Sequence, residues 1–203
     1  MSRKGGLIVF AREPRIGHVK TRLAASIGAA GAFEIYTKLL TRTLRLAEQS
    51  VLFEHYLFCE NVLQVEYFKG LLNAELWTVR VQSSGDLGQR MRDAFASVLQ
   101  MHNYAVLIGS DVADFELSDI DRASADLETR KHHSVLGPTA DGGYWLIGLA
   151  SAEETLFESI PWSTDTVAPI TLSRMSELGL SITRLELRHD VDEFCDLKYL
   201  RHV

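Results

Sequence analysis

Apolar runs of strand length alternate with longer segments of helical period along the whole chain, and this alternation restricts the fold more than any other feature. Residues 7–10 read as a short buried strand, and a helix follows from about Val19. Across 30–49, Phe33, Tyr36, Leu40, Leu44 and Ala47 recur at three- and four-residue steps, which predicts a second helix. Residues 51–59 are strand-like, 62–72 are helical with Val65, Phe68 and Leu72 on one face, and 76–81 alternate as a strand. Asp86 can cap a helix carrying Met91, Phe95, Val98 and Leu99. Residues 104–108 form a buried strand, and Ser118 opens a helix with Ile120, Ala123 and Leu127. Two strands, 134–136 and 144–149, flank a Gly-rich turn. A helix over 166–178, a strand over 181–187 and a helical tail from Glu193 complete the series. Strands alternating with helices imply right-handed crossovers and a mostly parallel sheet covered on both faces. The strands paired around 140–143 add a local antiparallel element, so the sheet is expected to be mixed.

At 203 residues, with 46% hydrophobic and 24% charged, the chain is neither disordered nor fibrous, and residues 1–203 read as one domain. A net charge of −6 argues against a general nucleic-acid binder. No stretch approaches the ~20 apolar residues of a membrane span, and Arg3 and Lys4 precede too short an apolar run for a signal core. The expectation is a soluble cytoplasmic protein. Cys59 and Cys195 make no disulfide framework and no zinc pattern; they read as two partly buried thiols.

In sheets of this kind ligands bind outside the carboxyl ends of the strands, so those loops hold the candidates. After the first strand, Arg12, Arg15, Lys20 and Arg22 are expected to converge near a helix N-terminus, with Pro14 and Gly17 allowing a tight turn. A di- or triphosphate is the natural guest, although a solvated basic loop has the same composition. Lys20-Thr21 ends like a Walker A loop, but Pro14 and Val19 stand where that motif needs glycine. Gly85-Asp86-Leu87-Gly88 offers a helix cap and close backbone approach to a ligand. Asp111, just past the strand at 104–108, is placed to hold a divalent cation, with Asp114 a second ligand or a loop acid. Asp141-Gly142-Gly143 is an ordinary hairpin turn by itself, but Tyr144 and Trp145 follow it as a wall for a sugar or base, or as core residues. Trp162 precedes Ser163, Thr164 and Asp165, any of which can cap the next helix. Asp190 and Asp192 alternate on extended chain and face one side, where one can ligate a metal or act as a base.

In order, these segments resemble a bacterial family of predicted glycosyltransferases of the GT-A superfamily, associated in some genomes with radical-SAM and selenodomain gene clusters. The resemblance rests on Phe10-Ala11-Arg12-Glu13-Pro14, Gly17-His18-Val19-Lys20-Thr21-Arg22-Leu23, Gly85-Asp86-Leu87-Gly88, Gly109-Ser110-Asp111, Asp141-Gly142-Gly143-Tyr144, Trp162-Ser163-Thr164 and Asp190-Val191-Asp192. It spans about residues 7–200. It implies a single-domain GT-A/Rossmann-like three-layer α/β sandwich, phosphates near Lys20 and Arg22, a metal near Asp111, and an acceptor side near Asp141–Tyr144 and Asp190–Asp192. Two positions depart from the family pattern: Val112-Ala113 replace the usual Cys-Pro, and Glu193 replaces a Thr.

The expectation is therefore a metal-dependent transferase using Mg²⁺ or Mn²⁺ and a nucleotide-activated donor, with a sugar nucleotide as the leading candidate. Asp141 and Asp190 are the catalytic candidates, and Asp111 and Asp192 the metal ligands. Arg12, Lys20, Thr21, Arg22, Gly85, Asp86, Gly142, Gly143, Tyr144 and Trp162 are the substrate-binding candidates. The alternatives are a nucleotidyltransferase joining a nucleoside triphosphate to a phosphorylated acceptor, and a degenerate nucleotide-binding non-enzyme. The expected partners are the donor and an unidentified acceptor, with a homodimer left open and no nucleic acid.

Overall fold

Leu7 and Val9 pack into one layer and Ile8 into the opposite one, so strand β1 (Gly5–Phe10) is buried on both faces. In the computed structural model, which describes residues 5–129 and 132–202, this strand lies near the middle of a seven-stranded sheet. The other strands are β2 (Phe53–Cys59), β3 (Trp77–Val81), β4 (Ala105–Ile108), β5 (His133–Pro138), β6 (Tyr144–Leu149) and β7 (Ser181–Arg184). Their order is β3-β2-β1-β4-β6-β5-β7, and only β6 runs antiparallel to its neighbours. The mixed, mostly parallel sheet expected from the alternation is the one observed.

Helices cover both faces. On one side α1 (Thr21–Gln49), α2 (Val62–Leu71) and α4 (Leu117–Thr129) bury Tyr36, Leu40, Phe68 and Ile120 against Leu7, Val9 and Val106. On the other, α3 (Leu87–Leu99) and α5 (Val167–Glu177) bury Met91, Phe95 and Met175 against Ile8 and Leu107. Strand residues of alternating parity thus feed two separate apolar layers, which is what a parallel sheet buried on both faces requires.

The helix expected from Val19 and the helix expected over 30–49 form one element, interrupted at Gly28. That residue sits at φ 80, in the left-handed region where a side chain is unfavourable. The strand expected over 181–187 stops at Arg184. Beyond it the chain still follows the sheet, through Leu185 N–H to Leu136 O at 2.9 Å and an isolated pairing of Arg188 with Thr139. The tail is a 3₁₀ segment, Phe194–His202, rather than an α-helix, and a further 3₁₀ turn over Glu154–Phe157 buries Leu156 and Phe157. Cys59 is buried as expected, whereas Cys195 is exposed. No helix among the described residues is long and apolar enough to cross a membrane.

Candidate active site

β1 has β2 on one side and β4 on the other, so the chain leaves in opposite directions at the carboxyl ends of β1 and β4. A crevice opens at such a switch point. Here it is a cleft of about 1100 Å³, bordered by the loops after β1, β3, β4 and β5 and by the segment before α5.

Lys20 is the N-cap residue of α1, in left-handed backbone at φ 48, and it makes no side-chain cap. Its side chain, only 5% exposed, crosses the cleft floor instead. Nζ donates to Asp111 Oδ2 at 3.0 Å and to Asp192 Oδ1 at 2.7 Å. Arg22 pairs with the other oxygen of Asp192. Burial alone would lower the Lys20 pKa, but the two carboxylates outweigh it and push the ammonium up to about 12. In return Lys20 holds the Asp111 carboxyl below its ordinary value, against the opposing effect of burial.

Of the four expected cations, Arg12, Lys20 and Arg22 border the cleft and Arg15 does not. Arg12 lines the far rim of the cleft and pairs with Glu60 at 2.8 Å. Arg15 pairs with Glu13 outside the cleft lining. Only Lys20 and Arg22 share an acid. Thr21 lines the cleft beside them. Tyr36, one of the residues at helical spacing over 30–49, ties these loops together. Its ring is buried, and its hydroxyl accepts from Arg12 N–H at 2.9 Å and lies 3.1 Å from Ser110 Oγ.

The C-terminal segment carries its acids into the site by pairing with the β4 loop. Val112 and Asp190 form an antiparallel bridge, Val191 N–H donates to Asp111 O at 3.1 Å, and Ala113 N–H donates to His189 O at 2.9 Å. The proline usual at position 113 in the resembling family could not make that last bond. Asp114 lies outside the cleft lining, where it accepts from His189 N–H at 2.9 Å and lies 2.8 Å from its Nδ1, and this placement removes it from the metal-ligand candidates. Arg188 donates to both oxygens of Asp119 and anchors the segment at its start.

Asp190 is not part of the cleft lining, but Asp141, Asp111 and Asp192 surround it, and no ion pair reaches it among the described residues. Burial first, then the three neighbouring carboxylates, push its pKa up to about 6. Asp141 lines the cleft; its Oδ1 accepts from the Thr139 hydroxyl at 2.6 Å and from Gly143 N–H at 3.0 Å.

Gly142 shapes the wall without lining it. At φ 90, a Cβ there would lie 2.1 Å from Asp165 O, so only glycine lets this loop press against the segment before α5. Gly143 does line the cleft, as do the rings of Tyr144 and Trp162, which meet edge to face at 6.5 Å. The Tyr144 hydroxyl points inward to Met91 Sδ at 3.7 Å, and burial raises its pKa, so only the ring is offered to a ligand. Asp86 both lines the cleft and caps α3 through a reciprocal pair with Gln89, whereas Gly85 stays outside. None of Ser163, Thr164 or Asp165 caps α5; Thr166 holds that position, and the Thr164 hydroxyl donates to Pro161 O at 2.7 Å. The sequence reading missed Gln82 and gave no role to Arg90, in the segment after Asp86; the two border the cleft beyond β3 and bond to each other at 3.0 Å. Among the described residues no group of three or more His, Cys, Asp or Glu stands ready to hold a metal ion.

The family model described as "Uncharacterized protein conserved in bacteria (DUF2064)" matches residues 43–164, more than half of the chain. The chain belongs to the DUF2064 family. That match takes in Asp86, Asp111, Asp141 and Trp162 and stops short of Lys20, Arg22 and Asp192. The whole of this DUF2064 chain superposes on 87% of a candidate nucleotide-diphospho-sugar transferase from Desulfovibrio desulfuricans G20, at 28% identity and a TM-score of 0.90. A cytidylyltransferase from Leptospira borgpetersenii shares the fold at 17% identity and a TM-score of 0.63, over 96% of this chain and 83% of that one. A manganese complex of Rv0371c from Mycobacterium tuberculosis H37Rv does so at 17% identity and 0.54, over 97% of each chain. A search of curated proteins finds no match. The chain carries the fold of nucleotide-utilising transferases.

Proposed function

We propose that the chain is a metal-dependent transferase that takes a nucleotide-diphospho-sugar as donor and passes the sugar to an acceptor. The observation that carries this reading is the 3.0 Å contact between Lys20 and Asp111, across the switch point and inside one cleft. A cation from the first loop and an acid from the β4 loop can then close around the same diphosphate.

The donor set fits a divalent cation shared with substrate. Asp111 spends one oxygen on Lys20 and is 42% exposed, and Asp192 stands beside it. Mg²⁺ is typically held by one or two carboxylates together with substrate phosphates rather than by an all-protein cage. The manganese complex of Rv0371c lends the same support. Asp111 would hold Mg²⁺ or Mn²⁺ through the oxygen that Lys20 leaves free, and Asp192 would join it by giving up the oxygen now paired with Arg22; the ion would supply positive charge to neutralise the departing diphosphate. Lys20 and Arg22 place two further positive charges at that point. Arg12 and Asp86 line the end of the cleft where the nucleoside would lie. Asp141, which lines the cleft, can accept a hydrogen bond from an acceptor hydroxyl, and Asp190 beside it, with a pKa near 6, can receive that hydroxyl's proton through it at neutral pH.

Calorimetry with a panel of nucleoside diphosphates and sugar nucleotides tests the reading. Binding is expected with Mn²⁺ present and is expected to weaken strongly on chelation with EDTA. No binding to any member with the metal present overturns it. The fold shared with a cytidylyltransferase favours a second reading, nucleotidyl transfer from a nucleoside triphosphate. Release of pyrophosphate rather than a nucleoside diphosphate would select that reading.

A further inference from the structure

The two halves of the cleft differ in charge. Every cation that borders it (Arg12, Lys20, Arg22 and Arg90) belongs to the half below β1 and β3 or to the centre, among the described residues. The half below β5 and β6 has Asp141 and Asp165 in its lining and Asp190 beside them, and no lysine, arginine or histidine. No ion pair reaches any of these three acids among the described residues.

A phosphate can also be held without a cation, by free N–H groups in the first turn of a helix. The helix that opens on this half is α5, and the second and third positions of its first turn have no N–H to give. Val167 N–H is turned to Thr164 O at 3.5 Å, Ala168 N–H donates to Gly142 O at 2.8 Å, and Pro169 has no N–H. Gly142 and Asp165 are pressed together, so that bond cannot be released without moving the wall. No cation is present where the acceptor would sit, and the α5 N-terminus has lost two of its donors. What is present is a pair of aromatic rings, Tyr144 and Trp162, with carboxylates around them. Such a wall suits a hydroxyl-bearing ring that offers donors to the acids.

We propose that the acceptor is a hydroxyl-bearing molecule that carries no phosphate or other negative charge near its reacting group, and that an amine on it strengthens binding. This rests on the transferase reading above, and it runs against a phosphorylated acceptor for this cleft. The physical basis is the Coulomb repulsion between an added anion and uncompensated carboxylates in a partly dry cleft.

The probes are glucosamine, glucose and glucose 6-phosphate, each titrated into the full chain while the Trp162 indole resonance is followed by NMR. Glucosamine is expected to shift that resonance and to bind about tenfold or more tightly than glucose 6-phosphate, with glucose between them. Asp165→Asn, in an exposed loop, is expected to narrow the gap. Equal or tighter binding of glucose 6-phosphate, or no response to glucosamine, overturns the proposal. A separate titration with UDP, CDP and GDP in Mg²⁺ reads the donor half. Lost nucleotide binding with glucosamine binding intact would fail the transferase reading alone, and the reverse would fail the acceptor assignment alone.

Discussion

Asp190 and Asp192 stand two residues apart on one extended segment, yet their surroundings are opposite. Asp192 has Lys20 on one oxygen and Arg22 on the other. Asp190 faces Asp141, Asp111 and Asp192 and has no cation. The difference does not come from their own neighbourhood in sequence. It comes from what the β4 loop and the start of α1 bring against each position. One acid is spent on fixing the floor of the cleft, while the other is held in reserve with a raised proton affinity. A buried ion pair and an unpaired acid within a few ångströms of each other should answer to mutation in opposite ways.

Removing the shared cation should have the largest effect. Lys20→Met leaves Asp111 and Asp192 facing each other, and breaking a largely buried pair costs about 3 kcal/mol. Urea unfolding at pH 7 is expected to show that loss, with nucleotide binding abolished in the same variant. The Lys20 ammonium is held from its ordinary 10.5 up to about 12, so its contribution is full below 10.5 and fades as pH rises through 12. The destabilisation should therefore be undiminished at pH 8. An unchanged midpoint would mean that the pair contributes nothing to the fold.

Asp190→Asn should act with the opposite sign. A carboxyl with a folded pKa near 6 and an ordinary value of 3.8 binds its proton more tightly in the folded state, so ionising it opposes folding. The penalty is absent below about pH 3.8, grows as pH rises towards 6, and is constant above that. A shift of this size would be worth roughly 3 kcal/mol for a fully buried group, and partial exposure reduces it to about 1 kcal/mol. Asp190→Asn is therefore expected to raise the melting temperature at pH 7.5 and to leave it unchanged near pH 4. Asp192→Asn is expected to lower it at pH 7.5. If both variants move the same way, the contrast between the two acids is wrong.

Much of the fold could be read from the sequence because its signals are local. The apolar run at Leu7–Phe10, the helical spacing through Tyr36 and Leu40, and the cap at Asp86 each depend on a few adjacent residues. The antiparallel β6 was legible too, since Asp141-Gly142-Gly143 marks a short turn between strands. The site was legible only as a set of loops. Which cation meets which acid depends on contacts 91 and 172 residues apart, from Lys20 to Asp111 and to Asp192. That is why four cations were expected to converge where three border the cleft and only two share an acid, and why Asp114, held by His189 outside the cleft, reads as a ligand candidate in sequence. Tyr36 illustrates the remaining gap. Its place in a helical stripe identifies the buried ring, but only the tertiary structure shows that its hydroxyl ends on Arg12 and Ser110. A tyrosine in a stripe with no other polar side-chain atom is the signal that could have raised the question, since a buried phenol usually finds a polar partner.

The smallest effect sharpens the same comparison from the rim of the cleft. Arg12 and Glu60 also make a 2.8 Å ion pair, but their side chains are 58% and 37% exposed. Water screens the attraction, and ordering two long side chains offsets most of what remains, so pairs of this kind are worth about 0–1 kcal/mol. Glu60→Gln is expected to change the unfolding free energy by no more than about 0.5 kcal/mol, against roughly 3 kcal/mol for Lys20→Met. It also releases Arg12 towards an anion in the cleft, so nucleotide affinity should stay constant or rise slightly at low salt. A loss of stability comparable to that of Lys20→Met would show that burial does not separate the floor pair from the rim pair. The contrast drawn between Asp192 and Asp190 would then have to rest on geometry alone.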